Sequence, residues 1–297
     1  MIITVASGKG GTGKTTVAVN LATIAAEKGS VELFDCDVEE PNAHLFVKPQ
    51  NITKKEVSTM IPSVDIALCN LCQECEKICR FSAINIVAKK IMVFADMCHS
   101  CKGCLMVCPT GAISEGARQL GSVLTGYSKQ GFKLTWGELR VGEAMSPPLI
   151  KKVKDEINNL DNLISIVDAP PGTSCPAITT LRDSDFALLV AEETPFGLND
   201  LTLTVEGLKK LGVPMAIVIN RAEESKGIID DYAEHENIEI LGKIPFSKEA
   251  AKICSKGLFL VEEMAEIRAI FQNIYQKIYC KIVKTENTES ENRGEIK

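Results

Sequence analysis

Two sets of residues in this chain have the types and spacing to do chemistry. The first is GKGGTGKTT, Gly8 to Thr16, in which Gly8, Gly13, Lys14 and Thr15 fit G-x-x-x-x-G-K-[ST]. Glycines at Gly8, Gly10, Gly11 and Gly13 let backbone N–H groups turn inward around phosphate oxygens, with Thr12 and Thr16 in the same loop. Lys14 would reach the β- and γ-phosphates of a nucleotide, and the Thr15 hydroxyl would hold Mg2+. The second set is cysteine. Eight of the twelve fall in one block. Cys69, Cys72, Cys75 and Cys79 are spaced C-x2-C-x2-C-x3-C, and Cys98, Cys101, Cys104 and Cys108 repeat that spacing 29 residues later. Ala83-Ile84 and Ala112-Ile113 repeat with them, so the block is an internal duplication.

That cysteine run binds [4Fe–4S] clusters, the fourth cysteine of one half ligating the cluster of the other. Three closely spaced thiolates grip one face of a cubane, and the fourth must come from across the pseudo-twofold axis. The expected sets are Cys69, Cys72, Cys75 with Cys108, and Cys98, Cys101, Cys104 with Cys79. Zinc is the competing reading, since four-cysteine sites also bind it. The block resembles a complete two-cluster bacterial ferredoxin from roughly residue 61 to 118. One departure is visible: Pro109 follows Cys108, but Arg80 follows Cys79.

The elements around these residues read as an open α/β sheet. MIITVAS is short, β-branched and apolar, a buried strand. TTVAVNLATIAAEKG has helical spacing and stops at Gly29, so the glycine loop joins a strand to a helix and gains the helix's positive end. Asp35 and Asp37 follow a second strand, and Asp168 ends the apolar LISIV. Carboxylates at strand carboxyl ends are where such sheets hold their chemistry.

Lys9 is a second lysine where a phosphate loop needs one. With it, GKGGTGKTT resembles the deviant P-loop of the MinD-like ATPases, a group that includes the nitrogenase iron protein and Mrp-type cluster carriers. The resemblance runs through LFDCDVEEPNAHLF, LISIVDAPPGTSCPAI and MAIVINRA. It implies a doubly wound, mainly parallel P-loop sheet that hydrolyses ATP with Mg2+, split by the inserted ferredoxin. Lys9 would cross a dimer interface to the partner's phosphates, closing a homodimer or a dimer with a close paralogue around ATP. Asp37 would orient the attacking water, Asp35 would lie on the Mg2+ side and Asp168 would reach Mg2+ through water. Gly172 would move with the γ-phosphate. Asn220 and Arg221 would read the adenine, with Pro245 packing near the ring. Cys175 lies at the offset where the nitrogenase iron protein ligates its shared cluster, although a second such cysteine is missing; a buried small side chain is the other role open to it.

Length and composition agree. The 297 residues divide into a first P-loop part (1–60), the insert (61–118), a second P-loop part (119–284) and a polar, disordered end (285–297). A net charge of −6 argues against non-specific nucleic-acid binding. No apolar run has the length of a membrane span and the N-terminus enters a strand directly, which places the protein in the cytoplasm. The isoleucine stripe of IRAIFQNIYQKIYCKIV reads as a helix docked on its own core, not on a membrane. His44, His99 and His235 form no spaced set, and His99 reads as tuning a cluster's surroundings. Two purposes for ATP hydrolysis stay open: gated electron transfer to a partner, or delivery of an iron–sulfur or metal cofactor. Positioning in the manner of MinD fits the acidic charge and the redox block less well.

Overall fold

Short β-branched runs become strands and the apolar 3.6-residue patterns become helices, alternating through most of the parallel sheet. The chain runs β1 (Ile2–Ala6), α1 (Lys14–Ala26), β2 (Val31–Asp35), α2 (Ala43–Val47) and β3 (Gln50–Val64). The cysteine block follows as α3 (Glu74–Ile78), β4 (Ile84–Val87), β5 (Lys90–Val93) and α4 (Gly103–Met106). Then come β6 (Ile113–Tyr127), β7 (Lys133–Leu139), α5 (Pro147–Lys154), β8 (Ile164–Asp168), α6 (Cys175–Leu181) and β9 (Phe186–Glu192). The chain ends with α7 (Pro195–Leu211), β10 (Met215–Ala222), α8 (Ile228–Glu236), β11 (Ile240–Pro245), α9 (Lys248–Ser255), α10 (Leu260–Glu263) and α11 (Ala265–Gly294). This computed structural model describes residues 1–294 apart from 159, 161, 162 and 224, with side chains to residue 282. The expected disordered end from residue 285 falls outside the described side chains.

Nine strands form one sheet in the order β11-β10-β9-β1-β8-β2-β7-β6-β3. The first seven in that order are parallel, while β6 and β3 run antiparallel at the edge. Helices cover both faces, as a parallel sheet requires. On one face α1 is buried continuously from Val17 to Ala25, because α11 and α10 cover its outer side. An apolar sequence with almost no amphipathic bias suits that sandwiched place. Ile267, Phe271, Ile274, Ile278 and Ile282 of α11 are at most 6% exposed, with Ile270 partly buried beside them, so the stripe docks on the domain's own core. On the other face α7 and α8 cover β9 and β10, and α5 packs Leu149, Ile150 and Val153 against Phe34 and Val167. No described helix is long and apolar enough to cross a membrane.

Strands β3 and β6 pair along their length, from Gln50↔Tyr127 to Val64↔Ile113, and residues 65–112 hang at the end of this ribbon. The boundaries read at 61 and 118 therefore fall inside the ribbon. The duplication extends to the backbone. Left-handed conformations occur at Leu71, Gln73 and Ser82, and again 29 residues on at Ser100, Lys102 and Gly111. Only one of the six is glycine, so the repeat is imposed by the fold of each half and not by residue type. The lobe is tied back by Arg118, buried and bonded to Glu143 and to Asp96, while Arg140 donates to the same Asp96 at 2.9 Å.

Candidate functional site

The phosphate loop leaves β1 at the sheet's centre, where the strand order reverses, and enters α1 at Lys14. Its shape needs glycine at two positions for different reasons. A Cβ on Gly8 would stand 2.3 Å from the Asp200 carbonyl oxygen, because α7 packs against the loop. Gly13 has φ 89°, and a Cβ there would stand 2.2 Å from Asn220 Nδ2. A Gly13→Ala protein should therefore lose at least about tenfold in ATP affinity, since strain and clash of this kind cost about 1–3 kcal/mol. Titration calorimetry checks this; wild-type affinity would mean the loop is not the binding element.

Lys14 lies 7% exposed in a nest of acids. Its Nζ is 3.3 Å from Asp168 Oδ1 and 3.9 Å from Asp37 Oδ2. Burial alone would lower this ammonium, but Asp168, Asp37 and Asp35 together raise its pKa. The register that pairs Asp35 with Asp168 across β2 and β8 brings the acids together. Asp168 is fully buried and its Oδ2 has no partner, the state of a carboxylate oxygen facing a cation or its water. The Thr12 hydroxyl is a second unpartnered buried atom in the loop. These donors, with Thr15 in the cleft lining, fit a magnesium nucleotide.

Asp35 corrects the sequence reading. Its Oδ1 accepts from Asp37 N at 3.0 Å, and its Oδ2 accepts from Asn42 N and Ala43 N, both at 2.9 Å. The carboxylate is spent on shaping the turn that presents Asp37. Burial and then Asp168 push its pKa up to about 8. Asp37 is the less buried acid and lines the cleft; burial pushes it up to about 6 against the pull of Lys14.

The adenine-reading expectation is corrected in part. Asn220 donates from Nδ2 to the Thr12 carbonyl at 2.7 Å, bracing the loop. Pro245 ends β11 exposed, outside the cleft lining, whereas Arg221 does line it. The far wall is instead Leu45 and Phe46 of α2 with Cys254–Gly257 at the end of α9 and the turn after it. Gly257 approaches so closely that a Cβ would stand 2.6 Å from the Leu45 carbonyl. Nothing in the residue types of 254–257 marks them for this; only the packing of α9 across the cleft does. Gly172, at φ 89°, donates its N–H to Ser7 O at 2.9 Å, tying the turn after Asp168 to the loop. Cys175 begins α6 exposed, so it is not a buried core side chain.

Lys9 was expected to point at a partner. Its Nζ instead sits 3.3 Å from Glu192 Oε2, and Glu192 Oε1 also accepts from Arg221 at 2.5 Å. Glu192 escaped the sequence reading, although a carboxylate ending the apolar strand FALLVA carries the same signal that marked Asp168.

The cysteines gather as two sets. One hollow is lined by Cys69, Cys72, Cys75 and Cys108, with Ile86, Ile91 and Ile113 behind them. The other is lined by Cys79, Cys98, Cys101 and Cys104, with Phe81 and His99 stacked at 3.5 Å on its wall. Each hollow draws its fourth cysteine from the opposite half. Backbone N–H groups already point at two sulfurs: Ala83 N to Cys79 Sγ at 3.3 Å and Ser100 N to Cys98 Sγ at 3.4 Å. Among the described residues, no three His, Cys, Asp or Glu side chains converge as ligands of one metal ion would.

Residues 3–261 match the model of the CobQ/CobB/MinD/ParA nucleotide binding domain. The chain belongs to this family. An uncharacterized protein of Methanocaldococcus jannaschii is 30% identical over 94% of this chain and 96% of its own length. An iron-sulfur cluster carrier protein of Pyrococcus furiosus is 26% identical over 87% of this chain and 78% of its own. Among solved structures, the septum site-determining protein MinD of Pyrococcus horikoshii, complexed with Mg-ADP, matches with a TM-score of 0.58. It is 20% identical over 93% of this chain and 95% of that one, which shows the fold. The protein is thus a MinD/ParA-type nucleotide-binding ATPase domain on a mostly parallel α/β sheet.

Proposed function

We propose that this protein hydrolyses Mg-ATP and couples the resulting dimer switching to electron transfer through two [4Fe–4S] clusters towards a partner protein. The observation that carries this reading is the pair of four-cysteine hollows at the end of a ribbon grown from the ATPase sheet. A single zinc ion needs four sulfurs within about 2.3 Å of one point. Eight cysteines in a duplicated C-x2-C-x2-C-x3-C spacing favour two cubanes over zinc.

In this reading Lys14 turns from its acids to the β- and γ-phosphates as ATP enters. Thr15 and, through water, Asp168 would hold a Mg2+ ion, which would neutralise charge on the phosphate oxygens when bound. Asp37 accepts a hydrogen bond from the attacking water and orients it. Lys9 from a second copy completes the charge balance, much as an arginine finger does. The hollow of Cys79, Cys98, Cys101 and Cys104 meets the ribbon at Met60 and Pro62, back from the tip at Ile113 where the other hollow meets it, with Ser100 Oγ donating to Met60 O at 2.6 Å. It stands nearer the ATPase sheet, with the hollow of Cys69, Cys72, Cys75 and Cys108 beyond it. Clusters held there would supply one-electron redox chemistry.

A second reading has its own support. Similarity to proteins named iron-sulfur cluster carriers, together with the exposed Cys175, favours ATP-dependent cofactor delivery. One anaerobic experiment separates the two. Both cluster potentials are titrated by electron paramagnetic resonance with ATP, with ADP and without nucleotide. Reciprocal linkage of about 1–3 kcal/mol is typical of coupled sites. At about 59 mV per tenfold for one electron, shifts of several tens of millivolts between the ATP-bound and free protein are expected. Three superimposed curves would sink the coupling and leave cofactor delivery as the better reading.

A further inference from the structure

We propose that Glu192 is the positioning residue for Lys9: it parks the lysine in its own subunit until nucleotide and a second copy draw it away. The proposal deepens the reading above and rests on it. Lys9 stands at the crest of the phosphate loop, followed by Gly10 and Gly11. A side chain on either would meet nothing within 4 Å, so the crest is open on that side, while Gly8 on the other is packed against Asp200. A lysine there has free access to water. Instead its side chain is only 32% exposed and folds back onto Glu192 at 3.3 Å.

Glu192 is built to receive it. It ends β9, is 8% exposed as a residue, and is held from the other side by Arg221 at 2.5 Å. The Lys9 backbone is pinned as well, its carbonyl accepting from Ser7 Oγ at 2.8 Å. Only the side chain has to swing. When it leaves, Arg221 stays on Glu192, so a buried carboxylate is never stranded without a cation. That makes the exchange cheap. A lone Glu192 would hold Lys9 too tightly to release, and no Glu192 would leave it loose. The contact thus opposes closure of the ATP-bound dimer by the strength of one partly exposed ion pair.

The test uses the full chain and a non-hydrolysable ATP analogue, with dimerisation followed by sedimentation across protein concentration. Glu192→Gln should lower the concentration at which half the protein is dimeric by about threefold to tenfold. Glu192→Asp keeps the charge with a shorter reach and should shift it less; it carries the test if the glutamine variant does not fold. The decisive arm is the cycle with Lys9→Ala. In that background Glu192→Gln should change nothing, because the residue it holds is gone. A merely structural Glu192 would give the same shift with and without Lys9, and that result overturns the proposal. So does an unshifted midpoint for Glu192→Gln in the wild-type background. If Lys9→Ala alone dimerises like the wild type, the trans role of Lys9 fails instead, and the parking proposal falls with it.

Discussion

An Asp37→Ala protein should bind ATP and close around it, yet hydrolyse it at least about a hundredfold more slowly than the wild type. Groups that take or orient a proton in the transition state contribute about 10²–10⁴-fold. Asp37 is the acid free to do so, because Asp35 is consumed by three backbone amides and Asp168 faces Lys14. Binding should survive, since the glycine loop and Lys14 stay in place. The pH dependence gives an independent check. Burial pushes Asp37 up to about 6, with Lys14 pulling it down and Asp168 adding to the rise. Hydrolysis by the wild type should therefore fall as pH drops through about 6. A raised carboxylate also costs stability once it ionises: the folded state binds the extra proton between about pH 4 and 6, so stability is lost as pH rises across that window. Asp37→Ala should thus melt higher than the nucleotide-free wild type at pH 7, measured with chelator present, and show no such advantage near pH 4. If nucleotide binding is lost instead, Asp37 belongs to the Mg2+ shell or to the fold.

How much of this was legible beforehand depends on where each signal resides. The glycine loop, Lys14 and the cysteine sets could be read because spacing along the chain dictates them. A helix following a strand places Gly8 to Thr16, and a duplicated cysteine run needs only its own symmetry. Cys108 could be assigned to the hollow of Cys69 across almost forty residues for that reason. The cleft's far wall could not be read, because Cys254–Gly257 reach it where the end of α9 and the turn after it meet Leu45. Asp35 was misassigned for a subtler reason. Its residue type and strand-end place match a metal ligand, and only the path of the turn to Ala43 reveals that amides claim its oxygens. Asn220 likewise kept its neighbourhood and changed its task, from base edge to loop brace. Residue type fixed the location of the chemistry, while the backbone hydrogen bonds decided which acid performs which part.

The larger loss should come from Lys14→Met. The variant should show no measurable ATP binding, since the loop keeps its amides but loses its cation at the β- and γ-phosphates. It should also be less stable without nucleotide. Removing one partner from a buried ion pair costs about 3–5 kcal/mol, because the remaining charge is stranded. Here Asp168 and Asp35, both 0% exposed, would face each other with no cation between them. Protonating Asp35 relieves that repulsion. Burial and Asp168 already push Asp35 up to about 8, and Lys14 is among the groups holding it down. Without the lysine Asp35 keeps its proton to still higher pH. Both proteins lose stability as pH rises above the unfolded carboxylate pKa of about 4. The wild type stops losing it near pH 8, where Asp35 has ionised, while the variant goes on. The gap between their melting temperatures should therefore stay nearly constant from about pH 5 to 7 and widen above about pH 7, as Asp35 ionises in the wild type alone. A gap independent of pH would mean that Lys14 contributes packing and not charge, and that the acids do not share one cation. Retained ATP binding would be the heavier blow, because it would remove Lys14 from the phosphate site on which the reading of the cleft depends.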